Sequence, residues 1–186
     1  MLKRWGALSV VLLCLVALSA HASASLTSSQ ARVLIIFNFI NKYVEWPNAY
    51  SLGQTGYVNI CSVGSDAVVK ELEVLKQAST ARLTVQISRN PTEAELPRCH
   101  VLYIATSEHL RAEGYVQLLV DHPVMLVSSA PRFLEVGGNV SLMDYTEQQG
   151  VFSKTFVRYG VNRSAFADKA LRLDPDALEL AAKVRN

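Results

Sequence analysis

Apolar positions repeat along this chain with more than one spacing. Val33, Ile36, Phe37, Ile40 and Val44 recur at helical intervals, with Asn38, Asn41, Lys42 and Glu45 on the opposite face. That pattern predicts an amphipathic helix over 27–46, stopped by Pro47. Leu34, Ile35, Phe39, Tyr43 and Trp46 widen its apolar side, so the helix is either deeply buried or contacts a partner. Short apolar runs follow at Tyr57–Val63, Leu83–Ser88, Cys99–Ala105 and Val124–Ser128, each of strand length. Helical stretches separate them. One starts at a Ser65 or Asp66 cap and runs to about Ala78; another starts at Thr106 or Ser107 and runs to about Asp121. Asn90–Arg98, broken by Pro91 and Pro97, reads as a loop. Strands alternating with helices predict an α/β fold, a mostly parallel β-sheet with helices on both faces. The continuous apolar runs suit strands buried on both sides.

Beyond Ala130 the pattern changes. Pro131–Gly138 is a turn region ending in Gly137-Gly138. Val140–Met143 and Val151–Tyr159 form a predicted strand pair across a polar Asp144–Gly150 connection. Helices are predicted near Arg163–Leu171 and Pro175–Val184, the last with Asp174 as cap and Pro175 at its first position.

The other end of the chain carries an address. Lys3 and Arg4 precede an apolar run from Ala7 to Ala20, followed by Ala20-His21-Ala22 and Ala22-Ser23-Ala24. This is the three-part pattern of a secretory signal peptide over residues 1–24, cleaved near residue 22 or 24. The run is shorter than the ~20 residues that span a bilayer. Residues 25–186 are then a single exported domain. Of 18 Lys+Arg, the leader takes Lys3 and Arg4, leaving 16 against 16 Asp+Glu. A neutral domain is not driven to nucleic acid or to an anionic membrane by bulk charge. At 18% charged residues and 50% hydrophobic, it is not a disordered chain either.

Export also bears on the cysteines. Cys14 lies in the leader, so Cys61 and Cys99 remain, and two cysteines in an oxidising compartment most simply pair. Closing the intervening loop would stabilise the fold by about 4 kcal/mol on the chain-entropy model.

Catalytic signatures are missing. The chain has no G-x-S-x-G, Walker, G-x-G-x-x-G or H-E-x-x-H motif. His100, His109 and His122 show no ligand spacing. The reading is a binding protein with no catalytic residue, cofactor or metal. Candidate contact residues are few. Trp46 is either a ligand-facing aromatic or a core residue at a helix end. Phe133, beside Gly137 and Gly138, is either core or an exposed partner patch. Open parallel sheets bind ligands beyond the carboxyl ends of their strands, which here puts Gly64, Ser65, Thr106, Ser107 and Ser128 on a candidate small-ligand edge.

These residues resemble the YfiR family. The resemblance is carried by Phe37-Asn38-Phe39 with Glu45-Trp46-Pro47, by Asn59-Ile60-Cys61 with Val63-Gly64, and by the run Arg98 to Ile104. It continues through Phe133, Gly137-Gly138, Val140, Phe156, Asn162, Ala165, Leu171 and the segment Leu178–Ala181, covering roughly residues 28–184. The resemblance implies a periplasmic regulator that restrains an inner-membrane diguanylate cyclase, or a related sensor kinase, through its periplasmic part. Restraint lowers cyclic di-GMP and biofilm formation. It also implies a sequestering outer-membrane lipoprotein as a further partner, leaves a homodimer open, and makes Cys61–Cys99 the structural bridge. The family's second cysteine pair has no counterpart here, which argues against redox sensing by this chain. The alternative is a small-ligand module serving as sensor input to a membrane signalling protein.

Overall fold

Successive residues of the central strands face two different helical layers, and that alternation organises the whole molecule. A computed structural model describes residues 26–52, 56–75 and 84–186. The leader expected over 1–24 lies outside the described residues, as does the chain after Leu75 where the second helix was expected to end.

Helix α1 spans Ser28–Asn38 and opens on a capping box. The Thr27 side chain accepts the Gln30 N–H, and the Gln30 side chain accepts the Thr27 N–H. One π-helical turn, Phe39–Tyr43, follows, and the chain then becomes extended as β1, Val44–Glu45. The helix therefore ends three residues earlier than its apolar periodicity predicts. Val44 and Glu45 pair antiparallel with Leu173 and Arg172 of β8 (Arg172–Leu173), which draws the chain out of helical geometry before Pro47. The wide apolar side is explained by the π turn, which buries Phe39, Ile40 and Tyr43 together. The Phe39 ring stacks edge-on against Tyr43 and Tyr159, with centroids 5.5 and 5.0 Å away.

The remaining elements are β2 (Tyr57–Val63), α2 (Ala67–Leu75), β3 (Thr84–Arg89), β4 (Val101–Ile104), α3 (Ala112–Leu118), β5 (Met125–Ser128), β6 (Val140–Gln149), β7 (Phe152–Asn162), α4 (Arg163–Asp168), α5 (Asp176–Glu179) and β9 (Lys183–Arg185). The large sheet has the order β3-β2-β4-β5-β6-β7-β9. Among the described residues of this sheet, β6 and β7 are the one antiparallel pair of neighbours. Val58 and Ile60 of β2, Val101 and Tyr103 of β4, and Met125 and Val127 of β5 point into one core with α1 and α2. Cys61, Val63, Leu102, Ile104 and Leu126 point into the other, under α3 and Phe133. The predicted mostly parallel sheet with helices on both faces is what the chain forms.

Local boundaries differ from the sequence pattern where tertiary pairing outweighs it. Cys99 and His100 precede β4, because Leu96–Arg98 makes a 3-10 turn that delivers Cys99 to the sheet. Thr106–Arg111 is a 3-10 segment without a side-chain cap, so neither Thr106 nor Ser107 caps the following α-helix. The expected Asp144–Gly150 connection is mostly strand. Ten residue pairs run from Val140↔Val161 to Gln149↔Phe152, and only the turn at Gly150 and Val151 remains. Its polar residues read as loop because this arm leaves the sheet and shows most of its side chains to solvent. The last helix is one turn, not ten residues. The Asp174 side chain caps it by accepting the Asp176 N–H at 2.8 Å, but Lys183–Arg185 joins the sheet parallel to β7.

Cys61 and Cys99 are joined as a disulfide, with Cα atoms 5.9 Å apart and a sequence separation of 38. It ties the start of β4 to the middle of β2 inside the second core.

Candidate functional site

The chain leaves β2 toward β3 on one side and returns to β4 on the other. The carboxyl ends of β2 and β4 thus flank the point where strand order reverses, the position at which open α/β sheets form crevices. Two loops meet there. After β2 come Gly64, Ser65 and Asp66; after β4 come Ala105, Thr106 and Ser107.

Their meeting requires a glycine. Gly64 has φ +80°, and a Cβ at that position would lie 2.4 Å from Ser107 Oγ and 2.6 Å from Glu108 Cγ. With no side chain in the way, the Gly64 N–H donates to Asn90 Oδ1 at 2.9 Å and the Ser65 N–H donates to Ser107 Oγ at 2.9 Å. Asp66 ties the same loops from beneath. One carboxylate oxygen accepts the Val69 N–H at 3.0 Å, capping α2; the other accepts the Thr106 N–H at 3.1 Å and the Tyr103 hydroxyl at 2.8 Å. Burial raises the Tyr103 hydroxyl pKa well above the ordinary tyrosine value, so it stays a donor.

Over these loops lies a cavity of about 620 Å³. Val63, Leu96 and Tyr115 give it an apolar floor, and Arg89, Asn90 and Arg111 stand around it. Arg89 pairs with Glu73 at 3.1 Å, and Arg111 pairs with Glu108 at 3.2 Å while lying over the Tyr115 ring. Burial raises the Tyr115 pKa above its usual value.

Ser65, Ser107 and Gly64 therefore come together as the edge pattern suggests. Thr106 joins them only through its backbone. Ser128 does not line the cavity; it is buried, donating to the Ile104 carbonyl at 2.7 Å and accepting the Ala130 N–H at 3.0 Å. Trp46 sits in the first core with its ring edge-on to His100 at 5.9 Å. His100 Nδ1 accepts the Asn59 N–H at 3.0 Å, and burial lowers its pKa. Phe133 is buried in the second core, and a Cβ on Gly138 would fall 2.2 Å from its ring, so that glycine seats the aromatic. Gly137, with φ +100°, closes against Val116 of α3. Trp46, Phe133, Gly137 and Gly138 thus stand apart from the crevice.

Sequence reasoning overlooked Arg89, Asn90, Arg111 and Tyr115. The available signal was the end of β3, since the third strand at a switch point also points its carboxyl end at the crevice. It also overlooked Lys169, which looks like an ordinary helix-end lysine. Lys169 is buried, donates to the Leu119 carbonyl at the end of α3, and has a pKa pushed down to about 8 by burial, against the pull of Asp121 and Asp168.

Comparison with known proteins decides the family. The YfiR/HmsC-like family model matches residues 29–182. This chain belongs to the YfiR/HmsC-like family. The family is regulatory and non-catalytic, and membership together with the disulfide gives a periplasmic regulator in broad terms. No curated protein matches the chain. Among solved structures, a conserved domain protein from Vibrio cholerae O1 biovar El Tor str. N16961 aligns with TM-score 0.55 at 13% identity, over 85% of this chain and 60% of that one, which shows a shared fold. The ABC domain from Streptococcus pneumoniae, solved in complex with L-Trp, aligns with TM-score 0.45 at 18% identity, over 68% of this chain and 55% of that one. This YfiR/HmsC-like chain therefore spans less than two thirds of the length of either structure.

Proposed function

We propose that this protein restrains the periplasmic part of an inner-membrane diguanylate cyclase, lowering cyclic di-GMP and so biofilm formation. Family membership over residues 29–182 is the observation that carries the reading. The fold suits the task. A disulfide-tied sheet filled on both faces is a rigid body, and a rigid body that binds one conformation of a cyclase better than another shifts its equilibrium by that difference in affinity. A tenfold preference amounts to about 1.4 kcal/mol, enough to change cyclase output substantially. A sequestering outer-membrane lipoprotein would relieve the restraint by competing for this protein.

The test is reconstitution. Membrane vesicles carrying an inner-membrane diguanylate cyclase of the same organism, with its periplasmic segment accessible, are assayed for cyclic di-GMP synthesis while the purified domain is titrated in. The reading expects saturable inhibition. Unchanged synthesis at saturating protein, with binding absent, overturns it.

A further inference from the structure

We propose that the crevice between β2 and β4 binds a small monocarboxylate with an aromatic or aliphatic body. The inference is independent of the cyclase reading, because it concerns the isolated domain and a different class of ligand.

The argument starts from which hydrogen-bonding capacity is spent. Asn90 Oδ1 accepts the Gly64 N–H, so the amide's oxygen faces the loop and its NH2 group faces away from it. Ser107 Oγ accepts the Ser65 N–H, so its own O–H has no need of that neighbour. Neither the Asn90 NH2 nor the Ser107 O–H has an acceptor among the described residues. Arg89 and Arg111 each commit one guanidinium nitrogen to a glutamate and keep the rest of the donor fork. The Asn90 and Ser107 acceptors are thus used internally, while their donors and most of both guanidinium forks stay open. Of the carboxylates on the lining, Glu108 is paired with Arg111 and only Glu93 has no ion pair among the described residues, so open donors outnumber open acceptors and favour an oxyanion.

The floor and the charge balance narrow the class. Val63, Leu96 and Tyr115 are apolar and buried, which suits a hydrocarbon or aromatic body. A volume of about 620 Å³ lies within the range of small-molecule sites. Glu108 and Glu93 also border the cavity, so its two arginines are matched by two carboxylates. A lining without net charge favours a singly charged head group, held by hydrogen bonds, over a polyanion. The position, outside the carboxyl ends of parallel strands at a switch in strand order, is where such folds place ligands.

Asn90→Asp separates this idea from a merely structural role. The aspartate keeps an oxygen for the Gly64 N–H and tolerates the φ of +42° at this position, but replaces the free NH2 donors with a negative oxygen. Amide NMR spectra of the domain are titrated with benzoate, with hexanoate and with neutral benzamide, in wild type, Asn90→Asp and Arg111→Gln. The expected result is saturable shifts by at least one carboxylate, centred on Gly64, Ser65 and Ser107, with benzamide at least tenfold weaker. Both variants keep the wild-type urea midpoint and bind about tenfold more weakly, the loss typical of one charge-assisted hydrogen bond. The proposal is overturned if neither carboxylate shifts these amides, if benzamide binds as well, or if both folded variants bind like wild type.

Discussion

The Ser65 backbone N–H donates to the Ser107 hydroxyl at 2.9 Å, across 42 residues of sequence, joining the loop that follows β2 to the loop that follows β4. The contact exists because Gly64 presents no Cβ to Ser107. Gly64→Ala places a methyl group 2.4 Å from Ser107 Oγ and forces a non-glycine residue to φ +80°. The expected loss of stability is about 2–3 kcal/mol, from backbone strain and overpacking together. Urea denaturation measures it, and a loss under 0.5 kcal/mol would show that the loops do not need this close approach.

The bridge between Cys61 and Cys99 closes a 38-residue segment that includes β3 and the loop lining one side of the crevice. Replacing both cysteines with alanine is expected to cost about 4 kcal/mol. Intact mass of the exported protein should rise by two hydrogens on reduction. Free thiols in the unreduced protein would remove the bridge from the account.

Lys169 gives the fold a pH dependence with a definite sign. Its pKa falls from 10.5 to about 8 on folding, so the unfolded chain holds the proton more tightly than the native one. Stability therefore rises with pH through the window from about 8 toward 10.5. Burial raises the Tyr103 and Tyr159 hydroxyl pKa values, Tyr159 to about 12, and these groups lower stability only above their ordinary value of 10. Between pH 8 and 10 the wild type should gain about 2 kcal/mol relative to Lys169→Met, in urea series at fixed ionic strength. Parallel profiles for the two proteins would show that Lys169 keeps an ordinary pKa.

The three-layer fold was legible in the sequence because its central strands are buried on both faces and so read as unbroken apolar runs. Ser65 and Ser107 were legible as site residues because a strand-to-helix turn fixes where the carboxyl edge lies. The arm of β6 and β7 was not: Thr146, Glu147 and Lys154 are exposed and polar, and what makes them strand is pairing with each other, as in Glu147↔Lys154. The pattern around Val184 reads as helical for a similar reason, since β9 forms by pairing with the edge that β7 offers. Arg89 and Arg111 lie 22 positions apart in sequence and share a cavity through topology alone.

Restraint of a membrane cyclase from the periplasm is the central claim, and the cyclic di-GMP level of the cell reads it most directly. The level is measured in the wild type, in a strain lacking this gene, and in that strain complemented with the full chain or with residues 25–186 alone, under conditions in which an inner-membrane diguanylate cyclase with a periplasmic segment is expressed. The account expects cyclic di-GMP to rise on deletion, to return with the full chain, and to stay high with the leaderless form. An unchanged level on deletion, or equal rescue by the leaderless form, would contradict it.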